Sequence, residues 1–131
     1  MKLDPNCVRD SLIALEEMSD LDDGLTPKWL SIKNFLENSN TSKYPEKEII
    51  YTLRKLKEGG LIIANFQYAG DELYLATITE LTYEGHQFLE SISNSKIFDM
   101  AISKLDELGS GVTLDLLKAL CTKILKEKLG L

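Results

Sequence analysis

Six side chains with binding chemistry fall close together: Lys47, Tyr51, Thr52, Arg54, Lys55 and Lys57. Ammonium and guanidinium groups meet phosphate oxygens, and a phenol or a threonine hydroxyl can approach base edges in a major groove. These residues therefore read as candidate DNA contacts. The competing reading is a solvated helix face with alternating charge, because Glu46, Glu48 and Glu58 nearly cancel the positive groups. A second set is Phe66, Tyr68 and Tyr74, which are aromatic and free of nearby cations. Protein interfaces favour such residues at their centre, so these are candidate protein contacts. Here the competing reading is cross-strand packing within a hairpin.

Catalytic chemistry finds no footing. His86 is the only histidine and has no neighbouring nucleophile or ligand motif. The run Asp20-Leu21-Asp22-Asp23-Gly24 faintly suggests a calcium loop. Its glycine comes one place too early, and Ser31 stands where the closing glutamate belongs. No paired-cysteine metal signature, phosphate-cradling glycine loop or nucleophile elbow occurs. The expectation is a non-enzymatic protein with no metal and no cofactor.

The elements that would position these residues follow from spacing. Residues 4–18 read as a helix with Asp4 as N-cap and Pro5 in its first turn. Residues 29–33 suit a short strand, with Leu30 and Ile32 alternating against Ser31 and Lys33. Residues 34–43, rich in Asn and Ser, read as a loop or a frayed short helix. A helix over 45–59 buries Ile49, Ile50, Leu53 and Leu56 and stops at Gly59-Gly60. Residues 61–68 and 73–79 form a hairpin, with its turn at Ala69-Gly70-Asp71-Glu72. Thr82 caps the next helix, and two further helices cover 95–108 and 113–128, broken by Gly109-Ser110-Gly111.

With 131 residues, 44% apolar and 27% charged, the chain has the composition of a soluble globular domain. No apolar run reaches the roughly 18–20 residues that span a bilayer, so no membrane contact is expected. Residues 1–5 lack the apolar core of a signal peptide. Cys7 and Cys121 fall on apolar helix faces and read as reduced, buried thiols of a cytoplasmic protein. The net charge of −6 disfavours non-specific attraction to phosphate. Residues 61–93 carry five acids and no Lys or Arg, whereas 45–60 carry four bases and three acids.

Two stretches carry a resemblance. Leu56-Lys57-Glu58-Gly59-Gly60-Leu61-Ile62 and Leu81-Thr82-Tyr83-Glu84-Gly85 resemble winged-helix domains of bacterial transcriptional regulators. In those domains the first segment ends the recognition helix and the second opens the helix after the wing. Met1-Lys2-Leu3-Asp4, the segment from Leu81 to Leu89 and the closing Leu125–Leu131 are similar to a small uncharacterised family. That family occurs in bacteria, often in prophages, and has a winged-helix-like core. The resemblance implies a fold and a mobile-element setting and assigns no site.

The sequence reading is thus an α+β, mostly helical chain. A winged helix (helix, strand, helix, β-hairpin) would occupy 1–93, with a helical extension over 94–131. The extension either folds back on the core or forms a homodimer surface. The leading expected function is prophage-type DNA binding and regulation, with 45–59 as the recognition helix. The alternative is a protein-interaction module that binds a host or phage protein through its hairpin and acidic surface.

Overall fold

A computed structural model of the protein describes residues 2–19, 30–109 and 111–131. The acidic run at 20–24, Trp29 and the side chain of Tyr74 lie outside the described residues.

The first helix, α1 (Pro5–Met18), starts where Asp4 accepts a hydrogen bond from the Asn6 backbone N–H at 2.9 Å. It buries Cys7, Val8, Ser11, Leu12, Ala14 and Leu15, a stripe at helical spacing. The expected strand at 29–33 is shorter: β1 is Leu30–Ser31, and α2 (Ile32–Glu37) follows at once. Ser31 is the cause. Its hydroxyl accepts from the Asn34 N–H at 3.2 Å and opens a helix at Ile32. Of the two readings for 34–43, the short helix holds at its start, where α2 runs to Glu37, and a closed turn follows it. Phe35 is fully buried, and the buried Thr41 hydroxyl donates to its carbonyl.

Next comes α3 (Glu46–Glu58), with Pro45 at the N-cap. Glu46 and Glu48 lie in its first turn and Lys55 and Lys57 in its last, each sign favourable to the helix dipole. Its buried stripe is Ile49, Thr52, Leu53 and Leu56, so Thr52 occupies the place expected for Ile50. Helical rotation of about 100° per residue carries Ile50 off that stripe to a half-buried position. Gly60, at φ 74, turns the chain into β2 (Ile62–Ala69). A tight turn through Gly70 leads to β3 (Glu72–Leu81).

These strands form an antiparallel sheet of order β1-β3-β2. The register between β2 and β3 shifts twice. Ile63 faces Glu80 but Ala64 faces Ile78, leaving Thr79 extra; Gln67 faces Leu75 but Tyr68 faces Leu73, leaving Tyr74 extra. Both bulges therefore lie on β3, and each exchanges the faces of the strand beyond it. The first puts Leu81, rather than Glu80, into the core beside Ile78. The second puts Leu73 on the same face as Tyr68.

Three helices complete the chain: α4 (Tyr83–Ile92), α5 (Ser95–Leu108) and α6 (Leu114–Lys128), with side-chain caps from Thr82, Asn94 and Thr113. Ile97, Phe98, Ala101 and Leu105 of α5 and Leu117, Cys121 and Ile124 of α6 join the same buried cluster as α1, α3 and the sheet. Arg9 ties α1 to the end of α4. Its Nε and Nη2 donate to the Ile92 and Ser93 carbonyls, both at 3.0 Å, and its guanidinium lies over the Phe98 ring. The orphan carbonyls of a helix C-terminus thereby gain a charged donor. The chain is α+β with helices predominant.

Candidate nucleic-acid interface

Two conditions position α3. Its apolar stripe packs on α1, and its C-terminus is locked to β2 and α4. The lock is built from the Leu81-Thr82-Tyr83-Glu84-Gly85 motif. The Thr82 backbone N–H donates to the Leu61 carbonyl at 3.0 Å, and its hydroxyl donates to the Gly60 carbonyl at 2.6 Å. That same hydroxyl oxygen accepts from the Gly85 N–H at 3.1 Å. Gly85 is buried so closely that an added Cβ would stand 2.0 Å from the Leu61 carbonyl oxygen. The end of α3, the start of β2 and the start of α4 are therefore one hydrogen-bonded corner, and the hairpin is held beside α3.

Lys47, Arg54 and Lys57 are exposed on α3, and Tyr51 and Lys55 are half-buried. Thr52 is not available to a ligand. It is fully buried between α1 and α3, where its hydroxyl donates to the Cys7 sulfur at 3.3 Å. A residue at 0% exposure reaches no base edge, so Thr52 leaves the set of candidate DNA contacts.

The hairpin aromatics meet the helix cations. The Arg54 guanidinium lies 5.7 Å from the Tyr68 ring centroid, and the Lys57 ammonium lies 5.8 Å from that of Phe66. On the helix itself, Lys55 lies 5.5 Å from the Tyr51 ring and pairs with Glu58 at 3.0 Å. Phe66 and Tyr68 are two apart on β2 and share the face turned to α3, while Arg54 and Lys57 are three apart on the helix. Arg54 and Lys57 of the candidate DNA contacts and Phe66 and Tyr68 of the candidate protein contacts thus belong to one surface. The sequence held the signal in those two spacings, but only the angle between helix and strand brings them together.

Between α3 and the hairpin runs a groove of about 610 Å³, lined by Glu46, Lys47, Ile50, Tyr51, Arg54, Tyr68, Asp71 and Leu73. It continues past Arg54, Lys57, Glu58, Phe66 and Tyr68. Its walls are aromatic and aliphatic, and its rim carries both signs of charge. Asp71 comes to this rim, so one hairpin acid does approach the basic residues. Lys118, Lys123 and Lys126 line a different groove on α6, together with Asp115 and Glu127. His86 is exposed on α4.

Elsewhere, burial is the leading cause of the shifts at Cys7, Cys121 and Tyr44. It raises the Cys7 thiol above its usual value and pushes the Cys121 thiol up to about 11. Both cysteines are free and buried, as their apolar faces imply. Burial first, and then the Asp10 carboxylate that accepts its hydroxyl, hold Tyr44 protonated far above the ordinary phenol range. Among the described residues, no three His, Cys, Asp or Glu side chains gather as a metal site. Among them, too, no helix is long and apolar enough to cross a membrane.

A family model described as Hypothetical protein (DUF2513) matches residues 2–112. The chain belongs to this family. It is a family of uncharacterised proteins, and the matched stretch runs from the start of α1 through α5 and ends just before α6. The closing Leu125–Leu131 segment therefore lies outside the match. No curated protein matches the chain, and no solved structure does.

Proposed function

We propose that this protein is a non-enzymatic, cytoplasmic DNA-binding regulator of the prophage type, with a winged helix built from α1, β1, α2, α3 and the β2–β3 hairpin. In this reading α3 is the recognition helix and the hairpin is the wing. The observation that carries the proposal is the exposed row Lys47, Arg54 and Lys57 on α3, directly beside the hairpin. The antiparallel sheet supports it, since its β2–β3 hairpin packs through β2 beside α3. The cation–aromatic contacts support it as well: with its guanidinium 5.7 Å from the Tyr68 centroid, Arg54 is favoured on the groove side, where its N–H donors can meet a phosphate oxygen.

The test is fluorescence anisotropy of labelled duplex DNA, titrated with the protein at low and at moderate salt. Three phosphate contacts predict a log–log salt slope near −2.7, from about −0.9 per contact on B-DNA. Absence of binding at low salt and high protein concentration rejects the reading.

A second reading is a protein-interaction module that docks a host or phage protein in the same groove. Asp71 and Glu46 favour it, since carboxylates on the rim repel phosphate but accept cationic side chains of a protein. Binding that is insensitive to salt, or seen only with a protein partner, would support this second reading.

A further inference from the structure

We infer that the groove between α3 and the hairpin takes a peptide segment of fixed charge pattern: a cationic side chain at the hairpin-turn end, an apolar side chain in the middle and a carboxylate at the Arg54–Lys57 end. Such a ligand belongs to the second reading, on which the assignment rests, and requires nothing of DNA binding.

The pattern follows from how helix and strand run past each other. Arg54 meets Tyr68 and Lys57 meets Phe66, so advancing along α3 corresponds to moving back along β2. The hairpin turn therefore lies towards the N-terminal end of α3, and Asp71 lines the groove together with Glu46. At this end two carboxylates stand against the single ammonium of Lys47. At the other end Arg54 and Lys57 stand against Glu58, whose carboxylate is already engaged by Lys55 at 3.0 Å. Between them Ile50, Tyr51 and Leu73 form an apolar floor. Along its length the groove is thus acidic, then apolar, then basic.

Each stretch selects a complementary group. Phosphate oxygens engage the basic end alone, which leaves the apolar floor and the acidic end for another ligand. A peptide matches all three. Along α3, Glu46 lies about 12 Å from Arg54 and about 16 Å from Lys57, at 1.5 Å of rise per residue. In an extended peptide, side chains at positions i and i+4 share one face and stand about 13 Å apart. A lysine, a leucine and a glutamate at alternate positions therefore span the groove, each on its own partner.

The experiment is fluorescence anisotropy of three labelled, end-capped peptides titrated with the full chain: Lys-Ser-Leu-Ser-Glu, Lys-Ser-Leu-Ser-Lys and Glu-Ser-Leu-Ser-Glu. The wild type is expected to bind the mixed peptide at least about fivefold more tightly than either like-charged one. Serine in place of the central leucine should weaken the mixed peptide by a similar factor. Asp71 is exposed at the turn, so Asp71→Lys is expected to keep the wild-type circular dichroism and to change its preference to the peptide with two glutamates. Equal binding of the three peptides by the wild type, or an unchanged preference in Asp71→Lys, overturns the inference and leaves docking in the groove standing. Binding of none of them up to the solubility limit of the protein overturns it too, and the second reading then stands or falls on the salt series with a protein partner.

Discussion

Replacing Gly85 with alanine tests the corner that holds the hairpin beside α3. The new Cβ would stand 2.0 Å from the Leu61 carbonyl oxygen and 3.0 Å from its carbon. Ordinary contact begins near 3.4 Å, so the two backbones must separate by more than an ångström. The obstacle is main chain and cannot swing aside like the end of a side chain. That carbonyl accepts the Thr82 N–H at 3.0 Å, so separation also stretches this bond. Overpacking a close-fitted site costs about 1–3 kcal/mol, and the bond about 1 kcal/mol. Alanine's better helix propensity returns about 1 kcal/mol. Because the obstacle is rigid main chain, the overpacking falls in the upper part of that range, about 2–3 kcal/mol, and with the other two contributions cancelling the expected loss is about 2–3 kcal/mol. At roughly 2 cal/mol/K of unfolding entropy per residue, this lowers the Tm by about 10 °C. Urea unfolding followed by circular dichroism measures it, with Gly111→Ala as the control, since nothing lies within 4 Å of a Cβ built there. A Gly85→Ala protein within about 1 kcal/mol of wild type would refute the reasoning, because a rigid backbone contact cannot be relieved so cheaply.

Other outcomes follow from the same geometry. Arg54→Ala and Lys57→Ala should each weaken duplex binding at every sequence and reduce the salt slope by about 0.9, read by anisotropy. Thr52→Val should leave any DNA affinity untouched and change stability by no more than about 1 kcal/mol, since it removes one buried hydroxyl bond and keeps the shape. Burial raises the folded Cys121 thiol from 9.0 to about 11. Its contribution to stability is therefore whole below pH 9.0 and lost as the pH rises towards 11, because the unfolded thiol ionises first. Stability should fall across that window by roughly 1.4 kcal/mol per pH unit at most, and the fall should be smaller in Cys121→Ala when unfolding is repeated across alkaline pH.

Much of the secondary structure was legible along the chain because its causes are local. Asp4, Thr82 and Thr113 are caps whose side chains bond amides two or three residues on. Gly60, Gly70 and Gly109 sit at positive φ, where a Cβ is strained. Pattern and structure part where two local signals compete. At Ser31, strand alternation and a helix cap overlap, and the cap prevails one residue after the strand begins. On α3, the polarity of Thr52 predicts a surface group, whereas the fold buries it. The Cys7 sulfur of α1 supplies the partner that lets its hydroxyl be buried.

Residue types within a few positions of one another set most of the helices, the hairpin, the excess of acid and the basic face of α3. Which of these meet depends on packing between elements distant along the chain. The bulges at Thr79 and Tyr74 exchange the faces of β3, so Leu73 joins Tyr68 in the groove and Leu81 enters the core. An alternating pattern cannot reveal a residue inserted against its partner strand, because the insertion is defined only by pairing. Likewise, Arg54 on Tyr68 and Lys57 on Phe66 exist because Gly85 and Thr82 fix the corner between α3, β2 and α4. The cation and its aromatic partner are separated along the chain by the turn at Gly60, and it is the angle set at that corner that makes them neighbours.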